Sequence, residues 1–567
     1  MEKSPKGIER GLTNYGDPAF SKYLRRSFAS SMGYSREMLE RPIVGICHAA
    51  SGFNNCHRHF PELIEAVKRG VLAAGALPIE FPTISLGEVY LSPTSLKFRN
   101  LMSMDVEEMI RAQPMDAVVL LGGCDKTVPA QIMGALSANL PAVQLVAGPM
   151  STGRHKEHRL GACTDCRRFW QSFRAGRLDK VEIDTIEQKL ASTAGTCAVM
   201  GTASTMAVLA EVMGLMPPLS AAIPAVSAER LRMAEATGKL AVDLIGSGRT
   251  PGSIVTRQAI ENAMIVLLAL GGSTNAIIHL AAIAGRVGLR VDLERLNVLS
   301  DRVPTLVDLK PTGAFYMEDL HYAGGVPAVM RELAALLHLD APTITGETVG
   351  ELVATADTWV DSEIIRPASD PILATGGLVA LYGNLAPNGA ILKRAAADPT
   401  LFETAGRALV FDSLEDLSNR IDSPELDVTA DDILVLRNAG PTSDAAMPEA
   451  GYLPIPRKLS RAGVTDMIRI SDARMSGTAY GTIVLHVSPD AAAGGPLAAV
   501  QTGDRIRLSV AERRLDLLVS QDEIERRLSR IDALPRAVGR GYERLYQEQV
   551  MQAEDGCDFR FLTSAPD

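Results

Sequence analysis

The segment Leu120–Lys126, with the sequence LLGGCDK, carries three reactive side chains directly after an apolar stretch. Two glycines come first, and Cys124, Asp125 and Lys126 follow them. In an open α/β sheet, ligands bind at the edge formed by the strand ends, and glycines let the backbone approach a bound group closely. A thiol, a carboxylate and an amine at such an edge could bind a metal or take part in catalysis. Taken alone, the segment is equally compatible with a tight turn that contains an inert cysteine.

Two further cysteines have similar surroundings. Cys56 lies in SGFNNCHRHF, and Cys197 lies in STAGTCAVMGTASTM at the predicted N-terminus of a helix. The amino end of a helix favours a thiolate over a thiol. Three separate thiolates that meet at one point would suit an iron–sulfur cluster in which one iron has no protein sulfur and is open to substrate. Spacing does not establish this arrangement, because a single cysteine is more often a small buried apolar residue.

The composition is typical of a globular enzyme that acts on a small ligand. A chain of 567 residues is long enough for two or three domains. Hydrophobic residues make up 46% of it and charged residues 22%, which are ordinary values for a folded protein. The formal net charge of -10 argues against binding to nucleic acid or to an anionic membrane, because both need a broad basic surface.

The termini and the apolar stretches indicate the compartment. The sequence MEKSPKGIERGLTNYG at the start is charged and has no apolar centre, unlike a secretory signal, so we expect a cytoplasmic protein. The most apolar stretch, Ala263–Leu270, is much shorter than the roughly 20 residues of a membrane-spanning helix. Seven cysteines are too few for a disulfide scaffold in a chain of this length, so metal binding or catalysis is the expected use.

Hydrophobic spacing predicts an α/β region followed by a β-rich region. Buried parallel strands are predicted at Ile43–Cys47, Ala117–Leu121 and Ala142–Val146. Helices are predicted at Pro61–Ala74, Val106–Ala112, Cys197–Met213, Arg257–Leu270 and Thr274–Val287. After about Pro371, short strands are predicted at Ala408–Phe411, Ile433–Leu436, Thr482–Val487, Arg505–Leu508 and Leu515–Val519, with a helix at Tyr542–Ala553. We therefore expect an N-terminal layered α/β/α domain over residues 1–370 and a C-terminal β-barrel-like domain over residues 371–567.

Six long motifs resemble the signatures of the dihydroxy-acid and sugar-acid dehydratases, a family of iron–sulfur enzymes. They are FNNCHRHF, FPTISLGE, GGCDKTVPA, GTCAVMGTAST, MPEAGYLPIP and ISDARMSGTAYGTIVLHVSP, which run in the family's order from Phe53 to Pro489. Because the motifs are long and cover most of the chain, the resemblance is specific.

The resemblance implies two inorganic cofactors. It implies a 2Fe-2S cluster held by Cys56, Cys124 and Cys197. It also implies a Mg²⁺ ion held by Glu88, Asp125, Glu449 and a carbamate of Lys126. A lysine ammonium would repel Mg²⁺, whereas its reaction product with CO₂ is an anionic oxygen ligand of the kind that Mg²⁺ prefers. As isolated residues, Glu88 and Asp125 would more often be solvated turn or cap residues.

The loop Ala473–Gly481, with the sequence ARMSGTAYG, matches the family at its general base. The resemblance assigns that role to Ser476 and places Thr478 beside it in the catalytic site. A serine hydroxyl is a poor base unless its pKa is lowered greatly, and a neighbouring divalent cation can stabilise the alkoxide. A Ser-Gly-Thr run without this context is usually an ordinary turn.

The implied reaction is the dehydration of a sugar acid to a 2-keto-3-deoxy acid. Ser476 removes the C2 proton while Mg²⁺ binds the carboxylate and the C2 hydroxyl, and the open iron assists departure of the C3 hydroxyl as a Lewis acid. The segment Gly153–Trp170 and the sequence EAGYLPIP, Glu449–Pro456, resemble the sugar-acid members, such as the L-arabinonate and D-xylonate dehydratases. The alternative is a dihydroxy-acid dehydratase of branched-chain amino-acid synthesis. The family also implies a homodimer or homotetramer.

Two features fall outside this assignment. Cys163 and Cys166 form a CxxC in GACTDCRRFW, but no second pair follows at the spacing of a zinc finger, so we expect a structural or loop role. The stretch Thr442–Ala446 stands where the family usually has glycines. Loss of glycines restricts the backbone angles of this loop, so its path beside the metal and the substrate's far end is expected to differ.

Overall fold

A computed structural model of the protein describes residues 6–12, 14–450, 453–531 and 539–564. The part before residue 370 is mostly helical and contains one parallel sheet and one small hairpin. Its elements are α1 Pro18–Ser31, β1 Ile43–His48, α2 Phe60–Ala73, β2 Leu77–Pro82, α3 Ser95–Ala112, β3 Ala117–Gly122, α4 Thr127–Ala138, β4 Ala142–Val146, β5 Gly153–His155, β6 His158–Leu160, α5 Thr164–Arg174, α6 Lys180–Leu190, α7 Thr202–Val212, α8 Ala228–Asp243, α9 Pro251–Ile254, α10 Arg257–Ala269, α11 Asn275–Gly285, α12 Leu293–Ser300, α13 Met317–Tyr322, α14 Gly325–Glu332 and α15 Val349–Thr355.

In the described residues of the remaining part, eight strands alternate with loops and four α-helices. Its elements are β7 Val379–Leu381, β8 Gly389–Leu392, β9 Glu403–Phe411, α16 Leu414–Arg420, β10 Ile433–Leu436, α17 Arg457–Arg461, β11 Arg469–Ser471, β12 Ile483–Ser488, β13 Arg505–Ser509, β14 Arg514–Leu517, α18 Gln521–Leu528 and α19 Tyr542–Gln549. None of the helices in the described ranges is both long and apolar enough to cross a membrane.

The first sheet is a parallel sheet covered by helices on both faces. Its strands lie in the order β2-β1-β3-β4. Neighbouring residues of a strand point to opposite faces. Ile46 and Val119 therefore contribute to the core that includes α2 and α8, whereas Cys47 and Leu120 contribute to the core that includes α3 and α4. This confirms the predicted α/β/α layers, because strands buried on both faces read as continuous apolar runs.

The second sheet has eight strands in the order β14-β13-β9-β10-β11-β12-β8-β7. Its two edges meet at Tyr382, which follows β7. The Tyr382 amide donates to the carbonyl of Arg513 at 2.9 Å, and the Leu515 amide donates to the carbonyl of Tyr382 at 2.8 Å. These bonds nearly close the sheet into a barrel, as predicted, and closure removes strand edges that would otherwise be left unpaired. The apolar core inside it includes Val435 and Val484.

The prediction of a helix that begins at Cys197 is wrong, because α7 begins only at Thr202. Thr196 forms a bridge to Pro149, and its amide donates to the carbonyl of Gly148 at 2.9 Å. The Met200 amide donates to the carbonyl of Lys310, also at 2.9 Å. Cys197 therefore lies in an irregular segment tied to two other loops, and the charge of a helix terminus does not explain its chemistry.

A buried ion pair fastens the C-terminal segment to α11. Arg286 Nε and Nη2 donate to the two carboxylate oxygens of Asp558 at 2.6 and 3.0 Å, and both side chains are inaccessible to solvent. Arg286 Nη2 also donates to Ser103 on α3 at 2.8 Å. Breaking such a pair by removing one charge leaves the other charge buried without compensation.

We expect Asp558→Asn to lower the free energy of unfolding by about 3–5 kcal/mol, because Arg286 would lose its bidentate carboxylate. The matched control is Arg290→Ala, which breaks the exposed pair to Asp555 at 3.1 Å and should cost less than about 1 kcal/mol. Denaturant unfolding of the three proteins measures both values. Equal losses for the two variants would contradict a stabilising role for the buried pair.

Candidate active site

Cys124 is held by a neutral histidine at the carboxyl end of β3. Its amide donates to His57 Nε2 at 3.0 Å, and His57 Nδ1 lies 3.0 Å from the carbonyl of Ala49. Burial lowers the pKa of His57 to about 3, so the ring is neutral and donates from Nδ1. A Cβ on Gly123 would lie 2.5 Å from Ala147 Cβ, so only glycine fits before Cys124.

Four thiols lie together at this edge. A hydrogen bond with Cys56, together with burial, raises the pKa of Cys124. Cys197 Sγ lies 3.2 Å from Cys163 Sγ. The hydrogen bond with Cys163 and burial raise the pKa of Cys197, and the nearby Cys56 and Cys124 raise it further. The structure thus brings together the three cysteines predicted from sequence and adds Cys163.

Three carboxylates form a second group next to the thiols. One oxygen each of Glu88, Asp125 and Glu449 lies within 4.8 Å of the other two. Asp125 also adjoins the thiol group directly, since Cys124 Sγ lies 3.6 Å from Asp125 Oδ1. Clustered carboxylate oxygens are the donors that Mg²⁺ and similar hard cations prefer, so this group fits such an ion. The four neighbouring thiols are sulfur donors, which is the type of ligand that holds an iron–sulfur cluster.

A buried arginine holds two of the carboxylates in place. Arg474 Nη2 donates to Glu88 at 2.9 Å, and Arg474 Nη1 donates to Glu449 at 2.7 Å. The remaining nitrogen, Nε, donates to the carbonyl of Met447 at 3.0 Å. Burial alone would raise the pKa of Glu88, but the charges of Arg474 and Lys126 lower it to about 2. Glu88 is therefore ionised at neutral pH.

Lys126 is fully buried beside these acids. Its Nζ pairs with Asp125 and lies 3.5 Å from Glu88 Oε2. The pKa of Glu449 is raised, in contrast to that of Glu88. Burial and the negative charge of Glu88 are the causes. A divalent cation at the carboxylates would favour the ionised form of Glu449.

The loop before Glu449 has an unusual backbone. Ala446 and Met447 both adopt left-handed conformations, with φ of 54° and 57°. Residues with a Cβ rarely adopt this conformation. Two contacts hold the loop: Thr442 Oγ1 donates to Asp490 at 2.6 Å, and Arg474 binds the Met447 carbonyl. The loop therefore has two strained residues close to Glu449, one of which, Ala446, belongs to the stretch Thr442–Ala446. Gly451 and Tyr452, which follow it in the EAGYLPIP motif, lie outside the described residues.

Ser476 and Thr478 form a hydroxyl pair in a tight loop. Their oxygens lie 2.8 Å apart, and Arg167 Nη1 on α5 donates to Thr478 Oγ1 at 3.0 Å. Because Thr478 accepts from Arg167, its own hydroxyl hydrogen is free to point to Ser476. A Cβ on the intervening Gly477 would lie 2.5 Å from Ser273 Cβ, so this loop needs glycine.

A buried lysine also supports the loop. Lys393 Nζ donates to the carbonyl of Gly477 at 3.2 Å, and burial lowers the pKa of Lys393 to about 7. The loop is also bound to α5, since Thr164 Oγ1 donates to the carbonyl of Thr478 at 3.1 Å. Cys163 and Thr164 are neighbours in sequence, so the start of α5 lies between the hydroxyl pair and Cys197.

Sequence analysis missed four residues that organise the site: His57, Arg167, Lys393 and Arg474. His57 and Arg474 lie inside the quoted motifs, where a charged or aromatic residue next to a site residue was the available signal. Arg167 lies in the quoted segment GACTDCRRFW, whereas Lys393 lies in none of them. The partners of these two residues, Thr478 and Gly477, are 311 and 84 residues away in the chain, so local sequence does not reveal either contact.

Comparison with known proteins gives full-length matches. The sequence profile described as dihydroxy-acid/6-phosphogluconate dehydratase, N-terminal, matches residues 41–352, and the corresponding C-terminal profile matches residues 363–557. The chain is 47% identical to an L-arabonate dehydratase of Azospirillum brasilense, over 95% of this chain and 94% of that protein. It is 45% identical to a 6-deoxy-6-sulfo-D-gluconate dehydratase of Pseudomonas putida, over 99% and 98%. A dihydroxy-acid dehydratase of Caldicellulosiruptor saccharolyticus is 37% identical, over 95% and 98%.

We expect Glu449→Gln to weaken binding of Mg²⁺ by at least about tenfold, because the amide loses the charge that attracts the cation. Titration calorimetry on the metal-depleted protein measures the affinity. Glu554→Gln is the matched control, since Glu554 is a carboxylate bonded to Ser488 and Asn388 instead, and its affinity should equal that of the wild type. Unchanged binding in Glu449→Gln would remove Glu449 from the metal site.

Proposed function

Because the chain belongs to the dihydroxy-acid/6-phosphogluconate dehydratase family, we propose that it dehydrates a sugar acid to a 2-keto-3-deoxy acid. The family makes it a hydro-lyase, and two of the relatives described above are named for sugar acids. The observation that carries the proposal is the meeting of three groups: the thiols, the carboxylates of Glu88, Asp125 and Glu449, and the hydroxyl pair.

The three carboxylates of Glu88, Asp125 and Glu449 would hold Mg²⁺. An ammonium at Lys126 would lie among the ligands of a cation and repel it, so we propose that Lys126 carries a carbamate in the active enzyme. Lys126 is fully buried, pairs with Asp125 and lies 3.5 Å from Glu88 Oε2, so its side chain already reaches the proposed ligands. Arg474 then keeps Glu88 and Glu449 oriented in the absence of substrate.

Cys56, Cys124 and Cys197 would hold a 2Fe-2S cluster. When bound, the two cofactors would supply Lewis acidity to the substrate's carboxylate end and to its leaving hydroxyl. Cys124 and Asp125 are consecutive residues in contact, so the chain places a soft and a hard donor side by side.

Ser476 would act as the general base. It would remove the proton from C2 as the C3–O bond breaks, and the proton taken up by Ser476 would leave with the C3 hydroxyl as water, which restores the base. The enol product then tautomerises to the 2-keto acid without a change of oxidation state. The hydroxyl of Thr478, oriented by Arg167, donates to Ser476 Oγ and stabilises the alkoxide that the reaction needs.

The substrate class is proposed from similarity to the relatives. A small pocket beside Thr478 has a mixed lining, with the polar Arg167, Gln171 and Tyr480 and the apolar Ile455 and Ala479. Its polar side chains would suit the hydroxyls of a straight-chain sugar acid better than the alkyl groups of a branched dihydroxy acid. The dihydroxy-acid dehydratase activity is the alternative, and the relative named for it has lower identity than the two named for sugar acids.

The wider organisation is proposed on the same basis. We propose two domains, residues 1–370 with the thiols and most metal ligands, and residues 371–567 with Ser476. We also propose a cytoplasmic homodimer or homotetramer that has no nucleic-acid or membrane partner, in keeping with the net charge of -10.

We expect Ser476→Ala to keep its iron and its Mg²⁺ affinity but to lose at least about a hundredfold in turnover, because proton removal is lost. Exchange of the substrate's C2 hydrogen with solvent, followed by NMR, should fall by a similar factor. The control is Ser460→Ala, which removes a buried hydroxyl that has no hydrogen-bond partner among the described residues and should be fully active. Rapid C2 exchange in Ser476→Ala would identify another group as the base.

We expect kcat/KM to be higher for L-arabinonate, D-xylonate or D-gluconate than for 2,3-dihydroxyisovalerate, by up to roughly 10⁴-fold. A site built to hydrogen-bond the hydroxyls of its substrate loses those bonds when an alkyl chain binds instead, and that loss is large. Assay of the 2-keto product with each acid gives the ratio. A preference for dihydroxyisovalerate would replace the sugar-acid assignment with the alternative and leave the dehydratase mechanism in place.

A further inference from the structure

Lys393 is a buried lysine beside the loop that carries the proposed base. It follows β8 immediately, and β8 pairs antiparallel with β12, with Leu392 opposite Val484. The segment after β8 therefore runs beside the loop that precedes β12. The Gly481 amide donates to the carbonyl of Ala396 at 2.7 Å and fixes the two segments against each other.

The surroundings of Lys393 disfavour its charge. Among the described residues its one hydrogen bond runs to the carbonyl of Gly477, 3.2 Å from Nζ. Burial lowers the pKa of Lys393 to about 7, and no charged group in the described part of the chain offsets that effect. A buried ammonium without a counterion costs free energy. Stability alone therefore does not account for a lysine at this position.

The Gly477 carbonyl connects this lysine to Ser476. It belongs to the same peptide group as the amide of Thr478, and that amide nitrogen lies 3.5 Å from Ser476 Oγ. An ammonium that donates to the carbonyl polarises the peptide group, because hydrogen bonds in a chain strengthen one another. The Thr478 amide then becomes a better donor to an oxyanion at Ser476, and such long bonds tighten as the charge develops.

We propose that Lys393 is a positioning residue for the general base: its ammonium fixes the Gly477–Thr478 peptide and, through it, stabilises the negative charge that develops on Ser476. The inference rests on the proposed function, in which Ser476 is the base. No bond forms or breaks at Lys393, whose proton stays on Nζ. An anion at Ser476 in turn favours the charged form of the lysine.

Arg394 provides a matched control at the next position of the chain. Its Nε donates to the carbonyl of Gly376 at 2.7 Å, and its Nη2 donates to the carbonyl of Ser300 at 2.9 Å. Like Lys393, it is a cation that binds backbone carbonyls, but neither carbonyl belongs to the loop of Ser476. Arg394→Met should therefore lower the midpoint of denaturant unfolding and leave kcat unchanged.

The main test compares Lys393→Met with the wild type, both as full-length enzyme loaded with iron and Mg²⁺ and assayed with L-arabinonate. We expect kcat to fall by about ten- to a hundredfold, because a stabilised oxyanion is lost. KM should change by less than about twofold, since substrate binding does not use this interaction. Iron content and Mg²⁺ affinity should match those of the wild type.

Stability separates this role from a merely structural one. The unfolding midpoint of Lys393→Met should equal or exceed that of the wild type, because the buried charge is gone. A lysine that only holds the fold together would give a lower midpoint and an unchanged kcat, and that result would overturn the proposal. A fall in kcat that accompanies loss of iron or of Mg²⁺ affinity would overturn it as well.

A second variant decides the matter if Lys393→Met does not fold. Lys393→Gln is neutral but keeps an N–H donor for the Gly477 carbonyl. It should lose kcat to a similar extent, because the proposed effect needs the charge. Full activity in Lys393→Gln would show that a neutral donor suffices and would contradict the proposal.

The double variant Lys393→Met/Ser476→Ala distinguishes failure of this proposal from failure of the proposed function. In the Ser476→Ala background, Lys393→Met should cause no further loss of turnover. A further loss of about tenfold or more would show that Lys393 acts on another group. Wild-type turnover in Ser476→Ala, or a wild-type enzyme inactive on L-arabinonate, D-xylonate and D-gluconate, would instead contradict the proposed function itself.

Discussion

The geometry of the site depends on one buried guanidinium. Arg474 follows β11 of the barrel, yet it binds Glu88, which follows β2 of the parallel sheet, as well as Glu449. A buried arginine is stable only with its charge and donors satisfied, so the two acids must come to it. Arg474 also donates to Thr94 at 2.7 Å and to the Met447 carbonyl, with N–H groups that the two acids do not use. The same contacts that stabilise Arg474 thus join the two sheets at the site.

This dependence explains why the loop before Glu449 tolerates strain. Two successive residues with positive φ, Ala446 and Met447, cost free energy that glycine would not. The Met447 carbonyl is nevertheless fixed by Arg474, and both side chains are buried in a small apolar cluster with Tyr546 and Phe559. Packing and a charged hydrogen bond therefore hold a conformation that local sequence disfavours. A loop held in this way presents Glu449 in one orientation.

The sequence allowed the layers and most strands to be predicted, because strands buried on both faces, such as β3 and β4, are continuous apolar runs. It also identified Cys56, Cys124 and Ser476 as candidates through motifs. The prediction of a helix that begins at Cys197 was wrong, because the bridge of Thr196 to Pro149 and the hydrogen bond of Met200 to the Lys310 carbonyl override the local helix preference. Contacts between distant segments, such as the hydrogen bond of Arg167 with Thr478, leave no pattern in the local sequence. Only the structure reveals them.

The chemistry of the site depends on how sulfur and oxygen donors are distributed at the end of β3. Soft sulfur donors lie on one side of Cys124, and hard oxygen donors lie on the side of Asp125. Cys124 and Asp125 are consecutive residues, whose Cα atoms are about 3.8 Å apart, and Cys124 Sγ lies 3.6 Å from Asp125 Oδ1. The two kinds of donor therefore adjoin each other at one strand end. The order of a thiol and a carboxylate in the chain thus brings soft and hard donors within reach of one small ligand.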